Sequence, residues 1–170
     1  MKIEQLSEER AKAVVPQLVA LLQDSVHNGS SIGFLPPLET GVAEEYWLET
    51  LQELKQGKRL LLVASEAGEV AGTVQLALVA KQNGLHRAEA QKLIVHSRFR
   101  RRGIARALMS ALEEAARQAG RTLIVLDTEQ DSGAETLYAK QGYARAGVIP
   151  QYARRTDGSL LSTVVFYKLL

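Results

Sequence analysis

The stretch RFRRRGIARAL, residues 98–108, decides the fold of this chain. A strand-like run, HRAEAQKLIV at 86–95, leads into it. From Gly103 onward apolar residues recur with the period of an α-helix, and Gly120 is a typical residue for the end of that helix. The stretch therefore joins a strand to a long helix. Five arginines lie at this junction: Arg98, Arg100, Arg101, Arg102 and Arg106.

Three explanations fit so much positive charge at a helix start: nucleic-acid binding, a phosphorylated cofactor, or a solvated basic surface. First-turn amides have no partner within the helix, and the helix dipole adds to their attraction for anions. Gly103 and Ala105 let a phosphate approach the backbone, while Arg100, Arg101 or Arg102 supplies charge. The P-loop and the G-x-G-x-x-G fingerprint are absent. Residue types alone leave a pyrophosphate site and a solvated turn both open.

Composition excludes several kinds of protein. The chain has 170 residues, 46% hydrophobic and 24% charged, which is typical of one globular domain spanning 1–170. A formal net charge of +2 is too small for a general nucleic-acid binder. The absence of cysteine excludes disulfides, thiolate metal sites and a cysteine nucleophile, and the three histidines lack metal-ligand spacing. We find no signal peptide or membrane span, and we expect a cytoplasmic protein without a metal, a nucleic-acid partner or a membrane partner.

Periodicity along the rest of the chain predicts an α/β fold. The first helical pattern contains Pro16, so the helix begins near Val15 or kinks there. The other predicted elements are a helix at 42–57, two strands joined at Glu66–Glu69, the strand at 86–95, the helix from Gly103, a buried strand at 122–127, a short helix at 132–143, and strands at 143–148 and 162–169. The predicted order ααβββαβαββ favours a single domain with a mixed sheet.

Two motifs carry a resemblance to a known family. Arg100–Ala105 fits Gln/Arg-x-x-Gly-x-Gly/Ala between a strand and a helix. A second pattern, Asn-x-x-Ala-x-x-Leu-Tyr-x-x-x-Gly-Phe/Tyr, is matched at Ala134, Leu137, Tyr138, Gly142 and Tyr143. With these motifs the chain resembles the GNAT superfamily of acetyl-CoA-dependent N-acetyltransferases. The resemblance implies a mixed, mostly antiparallel central sheet flanked by helices, and acetyl-CoA as co-substrate.

A narrower resemblance covers roughly residues 24 to 169. The runs VHNGSSIGF, KQNGLHRAEAQKLIV and LDTE, and the tail from Leu137 to Lys168, are similar to the acetyltransferases that confer tabtoxin resistance. Enzymes of that kind acetylate an amine on a small, amino-acid-like toxin, so resistance is one implied role. One departure is Asp131, which stands where the wider family often has an asparagine that orients the cofactor arm.

Acetyl transfer from a thioester to an amine sets the roles that the site must fill. The amine must lose its proton, the carbonyl needs hydrogen-bond donors, and the leaving thiolate needs a proton. The resemblance implies Glu89 as base, Asp127 as its partner and Tyr138 as general acid, with direct transfer in a ternary complex. The residues alone leave other interpretations: Glu89 as a surface or salt-bridged glutamate next to Lys92 or Arg87, Asp127 as a turn or cap residue, and Tyr138 as a half-buried helix residue.

The remaining site residues divide between the two substrates. We expect acetyl-CoA to contact the backbone of an opened strand and the arginine turn, through Leu93, Ile94, Val95, Arg100, Arg101, Arg102, Gly103, Ile104, Ala105, Arg106 and Ser132. The loop Gly29–Pro37 either covers the acceptor with Ser30, Ser31 and Phe34 or is a plain connector. His86 either approaches the acceptor or is a turn residue, and Tyr46 and Trp47 are expected in the core.

Three functions remain possible from the sequence, two enzymes that differ in their acceptor and one binding module. The first acts on a small-molecule amine, and the second on a protein or peptide amine. The third is a non-catalytic module that binds a polyanion through the arginine stretch; an aromatic content of only 5% argues against it. The sequence leaves open whether the protein is a monomer or a homodimer in which the apolar C-terminal strand pairs with a second copy.

Overall fold

A seven-stranded sheet with helices on both faces forms the protein, as given by a computed structural model that describes residues 1–170. The strands are β1 Lys2–Gln5, β2 Arg59–Glu66, β3 Glu69–Leu78, β4 Arg87–Val95, β5 Leu123–Glu129, β6 Ala144–Arg154 and β7 Leu160–Leu169. The helices are α1 Glu8–Ala13, α2 Val15–His27, α3 Thr40–Lys55, α4 Ile104–Gln118 and α5 Gly133–Lys140. The strand order is β1-β2-β3-β4-β5-β7-β6.

The pairing of β4 with β5 differs from the rest of the sheet. It is parallel, whereas every other neighbouring pair is antiparallel, which confirms the predicted mixed, mostly antiparallel sheet. The parallel ladder ends at the pair Glu89 and Val125, although β4 continues to Val95 and β5 to Glu129. The two strands therefore separate beyond Glu89 and leave a split in the middle of the sheet.

Each face of the sheet buries its own apolar core. On one face, α4 packs on β2, β3 and β4, and its Leu108 and Leu112 belong to the same apolar core as Ile124 and Leu126 of β5. On the other face, α2 and α3 pack on β2 and β3, and Trp47 is completely buried there, as predicted. Because both faces are covered, β2 and β5 contain continuous apolar runs, LLLVA and LIVL, whereas β4 carries polar residues such as Glu89 and Gln91.

One strand was missing from the prediction and one is longer than predicted, whereas the predicted start or kink of a helix near Val15 is confirmed. Strand β1 was not predicted, because its sequence KIEQ holds one apolar residue and its place depends on backbone pairing with β2. The helical pattern at 8–23 is divided at Val14, whose φ of −111° is not helical, and Pro16 lies in the first turn of α2, where its missing N–H costs nothing. Strand β6 continues to Arg154, past Pro150, because irregular pairing accommodates proline in an edge strand.

The two edge strands of the sheet are β1 and β6, so the C-terminal strand β7 is not at an edge. Strand β7 lies between β5 and β6, so both of its edges are paired within the chain and neither is free to pair with a second copy. Exposed apolar side chains on β6 include Val148, Ile149 and Tyr152. None of the helices is both long enough and apolar enough to cross a membrane.

Candidate active site

The turn between β4 and α4 has the backbone of an anion site. Gly103 is the N-cap of α4 with a φ of +79°, in the left-handed region that glycine adopts without strain. A β-carbon at this position would meet no heavy atom within 4 Å, so the space above the turn is open. Arg101 also lies in the left-handed region, with a φ of +65°. Together with the free first-turn amides, this geometry fits a bound phosphate.

The arginines of this turn divide into two groups. Arg98 pairs with Glu69 at 2.7 Å and Arg102 with Glu66 at 3.2 Å, and all four side chains are substantially exposed or half-exposed. These two arginines thus follow the solvated interpretation. Arg100, Arg101 and Arg106 are exposed and form no ion pair, although Arg100 donates to the backbone oxygen of Val95 at 3.2 Å. These three are the arginines left free to meet an anionic ligand.

A cavity of about 700 Å³ opens where β4 and β5 separate. The predicted site residues that line it are Ser31, Glu89, Leu93, Asp127, Ser132 and Tyr138. Glu89 pairs with Val125, and side chains two residues apart on a strand share a face, so Glu89 and Asp127 point to the same side of the sheet. The fold therefore brings all three predicted catalytic residues to one cavity.

Glu89 is held by a chain of polar side chains. Gln91 donates from Nε2 to Glu89 Oε1 at 2.9 Å, and Arg59 donates to Gln91 Oε1 at 2.7 Å. Arg59 is in turn paired with Glu53 and donates to the buried Gln75 at 2.7 Å. The amide of Gln91 is oriented by Arg59, since its oxygen faces the guanidinium and its nitrogen faces the carboxylate. Glu89 is exposed, as the surface interpretation expects, and forms no ion pair with Arg87 or Lys92, so only the salt-bridged alternative was wrong.

Asp127 and Tyr138 have different surroundings. The single hydroxyl proton of Thr163 has two acceptors in reach, Asp127 Oδ2 at 2.7 Å and the carbonyl oxygen of Thr128 at 2.8 Å. Tyr138 is only 6% exposed and packs against the rings of Tyr143 and Phe166, with centroids 5.8 and 5.9 Å away. Burial, and then the negative charge of Asp127, raise the pKa of Tyr138 to about 12. The phenol is therefore neutral near pH 7 and can donate a proton.

Lys92 stands at an irregularity in β4. The register of β3 with β4 shifts between Thr73 and Gln75, and Lys92 has a φ of +50°. Its Nζ lies 5.9 Å from the ring centroid of Phe34 and 5.6 Å from that of Tyr46. Burial, and then the positive charge of Arg59, lower the pKa of Lys92, while Asp127 and Glu89 act in the opposite direction.

The comparison with known protein families rests on more than half of the chain. The model described as "Acetyltransferase (GNAT) family" matches residues 26–143. The chain belongs to the acetyltransferase (GNAT) family.

Individual relatives and structures agree with this GNAT membership. A protein of Photorhabdus laumondii named acetyltransferase plu1384 is 40% identical over 101 residues, 59% of this chain and 65% of that protein. The chain thus spans less than two thirds of the length of that relative. An L-methionine sulfoximine/L-methionine sulfone acetyltransferase of Pseudomonas aeruginosa is 26% identical over 144 residues, 84% of this chain and 82% of that protein. The crystal structure of a ribosomal-protein-alanine N-acetyltransferase from Brucella melitensis is similar with a TM-score of 0.83, at 26% identity over 100% of both chains.

Other predicted residues of this GNAT chain lie outside the cavity. The Ile94 side chain is buried in the core beneath α2 and α3, and Val95 packs against the opposite core, so any part they take in binding is through the backbone. His86 is exposed just before β4, where its carbonyl accepts from the amides of Thr122 and Leu123. Phe34 lines a neighbouring cavity of about 330 Å³. It does not line the larger cavity, although its ring lies 5.9 Å from Nζ of Lys92, which does.

Sequence reasoning missed three polar residues of this GNAT site. Arg59 and Gln91 were not singled out, and Lys92 was considered only as a partner of Glu89. The alternation of β4 would have placed Gln91 beside Glu89, since both lie on one face. The position of Lys92 carries no such signal, because it depends on the irregular pairing with β3. Asp131 has a φ of +62° at the turn before α5, and its side chain does not line the cavity.

Proposed function

We propose that the protein is an acetyl-CoA-dependent N-acetyltransferase that acts on the primary amine of a small molecule by direct transfer in a ternary complex. One observation carries the proposal: Glu89, Asp127 and Tyr138 meet in a single cavity at the split between β4 and β5. The open turn at Gly103 follows β4 directly, so an anion site and a reaction site lie along one path.

The donor side of the proposal uses backbone more than side chains. The amides from Gly103 to Arg106, with Arg100 and Arg101 beside them, would hold the pyrophosphate. The end of β4, from Leu93 to Val95, has no pairing with β5 and so offers backbone groups to an amide-rich chain lying in the split. Ser132, at the start of α5, lines the same cavity. When bound there, acetyl-CoA supplies the acetyl group as a thioester.

The proposed reaction moves two protons, one from the acceptor amine and one to the leaving sulfur. Glu89 accepts the proton of the attacking amine, directly or through water, and Asp127 stabilises the positive charge before that transfer. The nitrogen–carbon bond forms as the carbon–sulfur bond breaks, and the backbone near Leu93 donates to the carbonyl oxygen. Tyr138 gives its proton to the departing sulfur. Direct transfer needs no acyl-cysteine intermediate, which agrees with the absence of cysteine from the chain.

The first experiment is a calorimetric titration with acetyl-CoA of the native protein and of the Gly103→Glu variant. The expected result is micromolar binding by the native protein and none by Gly103→Glu, because the carboxylate would occupy the anion site. Gly120→Glu is the matched control, since Gly120 has a φ of +70° and equally open surroundings at the other end of α4. Absence of binding by the native protein would contradict the proposal, and a salt-dependent gel shift would then favour the polyanion module.

A protein amine is the second candidate acceptor. It is favoured by the similarity to the ribosomal-protein-alanine N-acetyltransferase of Brucella melitensis, whereas the similarity to the Pseudomonas aeruginosa acetyltransferase favours an amino-acid-like toxin or antibiotic. A panel of free amino acids, amino-acid-like toxins and peptides with alanine or lysine amines separates the two. Turnover of peptides alone would overturn the small-molecule proposal.

A further inference from the structure

The acceptor cavity contains a single positive side chain. Among the residues that line the space of about 700 Å³, Lys92 is the only lysine or arginine, and it shares the cavity with the carboxylates of Glu89, Asp127 and Glu129. Glu129 is already paired with Arg155 at 2.6 Å. The other two carboxylates are the proposed proton-handling groups, so the role of the ammonium among them needs an explanation.

The ammonium of Lys92 has no anionic partner within the protein. None of the ion pairs in the structure includes Lys92, and Glu89 and Asp127 take their hydrogen bonds from Gln91 and Thr163 instead. Two aromatic rings, those of Phe34 and Tyr46, hold the ammonium instead. Glu89 and Asp127 attract this half-buried ammonium from a distance, but no carboxylate contacts it, so a bound anion has room for a direct ion pair with Lys92.

The position of Lys92 fits a charge on the acceptor rather than on acetyl-CoA. Phe34 comes from the loop after α2 and Tyr46 from α3, so the ammonium lies on the sheet face covered by these elements, apart from the turn at Gly103. Gly33 is also close, since a β-carbon there would lie 3.8 Å from Nζ. Glu89 and Asp127 open onto the same cavity, so it presents two carboxylates for an amine and one ammonium for an anion.

We propose that Lys92 determines acceptor specificity by binding a carboxylate of the acceptor, so that the cavity selects amines with a carboxylate close to the amino group. This inference rests on the proposed function, because it concerns the second substrate of the same reaction. A charged hydrogen bond of this kind, in a partly desolvated cavity, is expected to change acceptor selectivity about tenfold or more.

The test compares L-methionine sulfone and L-phenylalanine, each beside its methyl ester, in the native protein and in Lys92→Met. For each amine, kcat/KM is measured by thiol release from acetyl-CoA, and binding to the protein saturated with coenzyme A is measured by calorimetry. The acid-to-ester ratio is compared between proteins, so the different basicities of the amines cancel. We expect the native ratio to exceed the Lys92→Met ratio about tenfold, while Lys92→Arg keeps most of the preference.

The controls separate this inference from the proposed activity. Unchanged melting temperatures show that Lys92→Met is folded. If the native protein binds the acids in preference to the esters and Lys92→Met loses that preference, but neither turns over an amine, the proposed activity fails while the assignment of Lys92 stands. Equal acid-to-ester ratios in the native protein and Lys92→Met would overturn the assignment. So would transfer of the acetyl group to Lys92 itself, seen by peptide mass spectrometry, because the lysine would then be an acceptor.

Discussion

At the scale of single residues, Tyr138 owes its proposed role to its surroundings. A free phenol has a pKa of about 10, and burial together with Asp127 raises the pKa of Tyr138 to about 12. The raised pKa keeps the proton on the oxygen over the whole range in which an amine acceptor becomes neutral. The protonated phenol is available to the departing thiolate, but its raised pKa makes it a weaker acid than free tyrosine, so full proton transfer to sulfur has a smaller driving force.

The substitution Tyr138→Phe therefore tests catalysis without disturbing packing. It removes one hydroxyl and keeps the ring that packs against Tyr143 and Phe166. We expect kcat to fall by about 100-fold, in the range of a lost general acid, with the affinity for acetyl-CoA nearly unchanged. Steady-state kinetics and calorimetry measure the two quantities.

The pH dependence gives an independent check on Tyr138. Because its pKa is raised, the proton-donating form persists at high pH, and deprotonation of Tyr138 should not lower kcat between pH 7 and about pH 10. A loss of acetyl-CoA affinity equal to the loss of kcat in Tyr138→Phe would instead indicate a binding role.

At the scale of elements, the end of β4 is the segment whose backbone we expect to contact acetyl-CoA. Residues 93–95 have no pairing with β5, whereas Arg87–Glu89 are paired on that side. We expect acetyl-CoA to slow amide hydrogen exchange at residues 93–95, since the ligand would accept hydrogen bonds from this backbone. Exchange at Arg87–Glu89 is the internal control and should not change. Equal slowing throughout β4 would indicate general stabilisation rather than contact.

Elements with a clear period could be predicted from the sequence, and those fixed by pairing could not. Helix α4 was predicted because Ile104, Leu108 and Leu112 repeat along one face, and all three are buried in the structure. Strand β1 and the continuation of β6 past Pro150 have no such pattern, because a neighbouring strand determines them.

The same distinction holds within the site. The sequence could indicate Glu89, Asp127 and Tyr138, because each lies in a recognisable run, and the structure brings them to one cavity. It could not indicate the contact of Lys92 with Phe34 and Tyr46, which joins β4 to a loop and a helix far away in the chain. The roles of the catalytic residues and of His86 stay predictions.

At the scale of the whole molecule, Asp24 joins helix α2 to the segment before the arginine-rich turn at Gly103. Its carboxylate, on α2, accepts from the amide of Ser97 at 2.8 Å and from its hydroxyl at 2.7 Å. Ser97 lies two residues after Val95, the last residue of β4, and precedes the arginine-rich turn at Gly103. Burial alone would raise the pKa of Asp24, but the two hydrogen bonds from Ser97 and the charges of His96 and Arg100 outweigh it, so the pKa is lowered.

The lowered pKa of Asp24 predicts how the stability of the molecule depends on pH. A carboxyl whose pKa is lower when folded stabilises the protein above its unfolded pKa, near 3.9, and this contribution is lost as pH falls through the folded pKa. Asp24→Asn removes a charged acceptor of two hydrogen bonds, so we expect it to lower the free energy of unfolding at pH 7 by about 2 kcal/mol. At roughly 2–4 °C per kcal/mol for a chain of this size, the melting temperature should fall by about 4–8 °C.

The matched comparison is Asp157→Asn. Asp157 also has a lowered pKa, from hydrogen bonds with Ser159, but this contact is exposed and local to one turn. Its loss should change the melting temperature far less than the loss of Asp24, because Asp24 connects segments 73 residues apart. The difference between native protein and Asp24→Asn should also shrink below about pH 4, since the unfolded carboxyl then takes up a proton, followed at lower pH by the native carboxylate. A difference that stays constant from pH 7 down to pH 3 would mean that Asp24 acts through packing, and its charge would have no part in holding α2 against the turn.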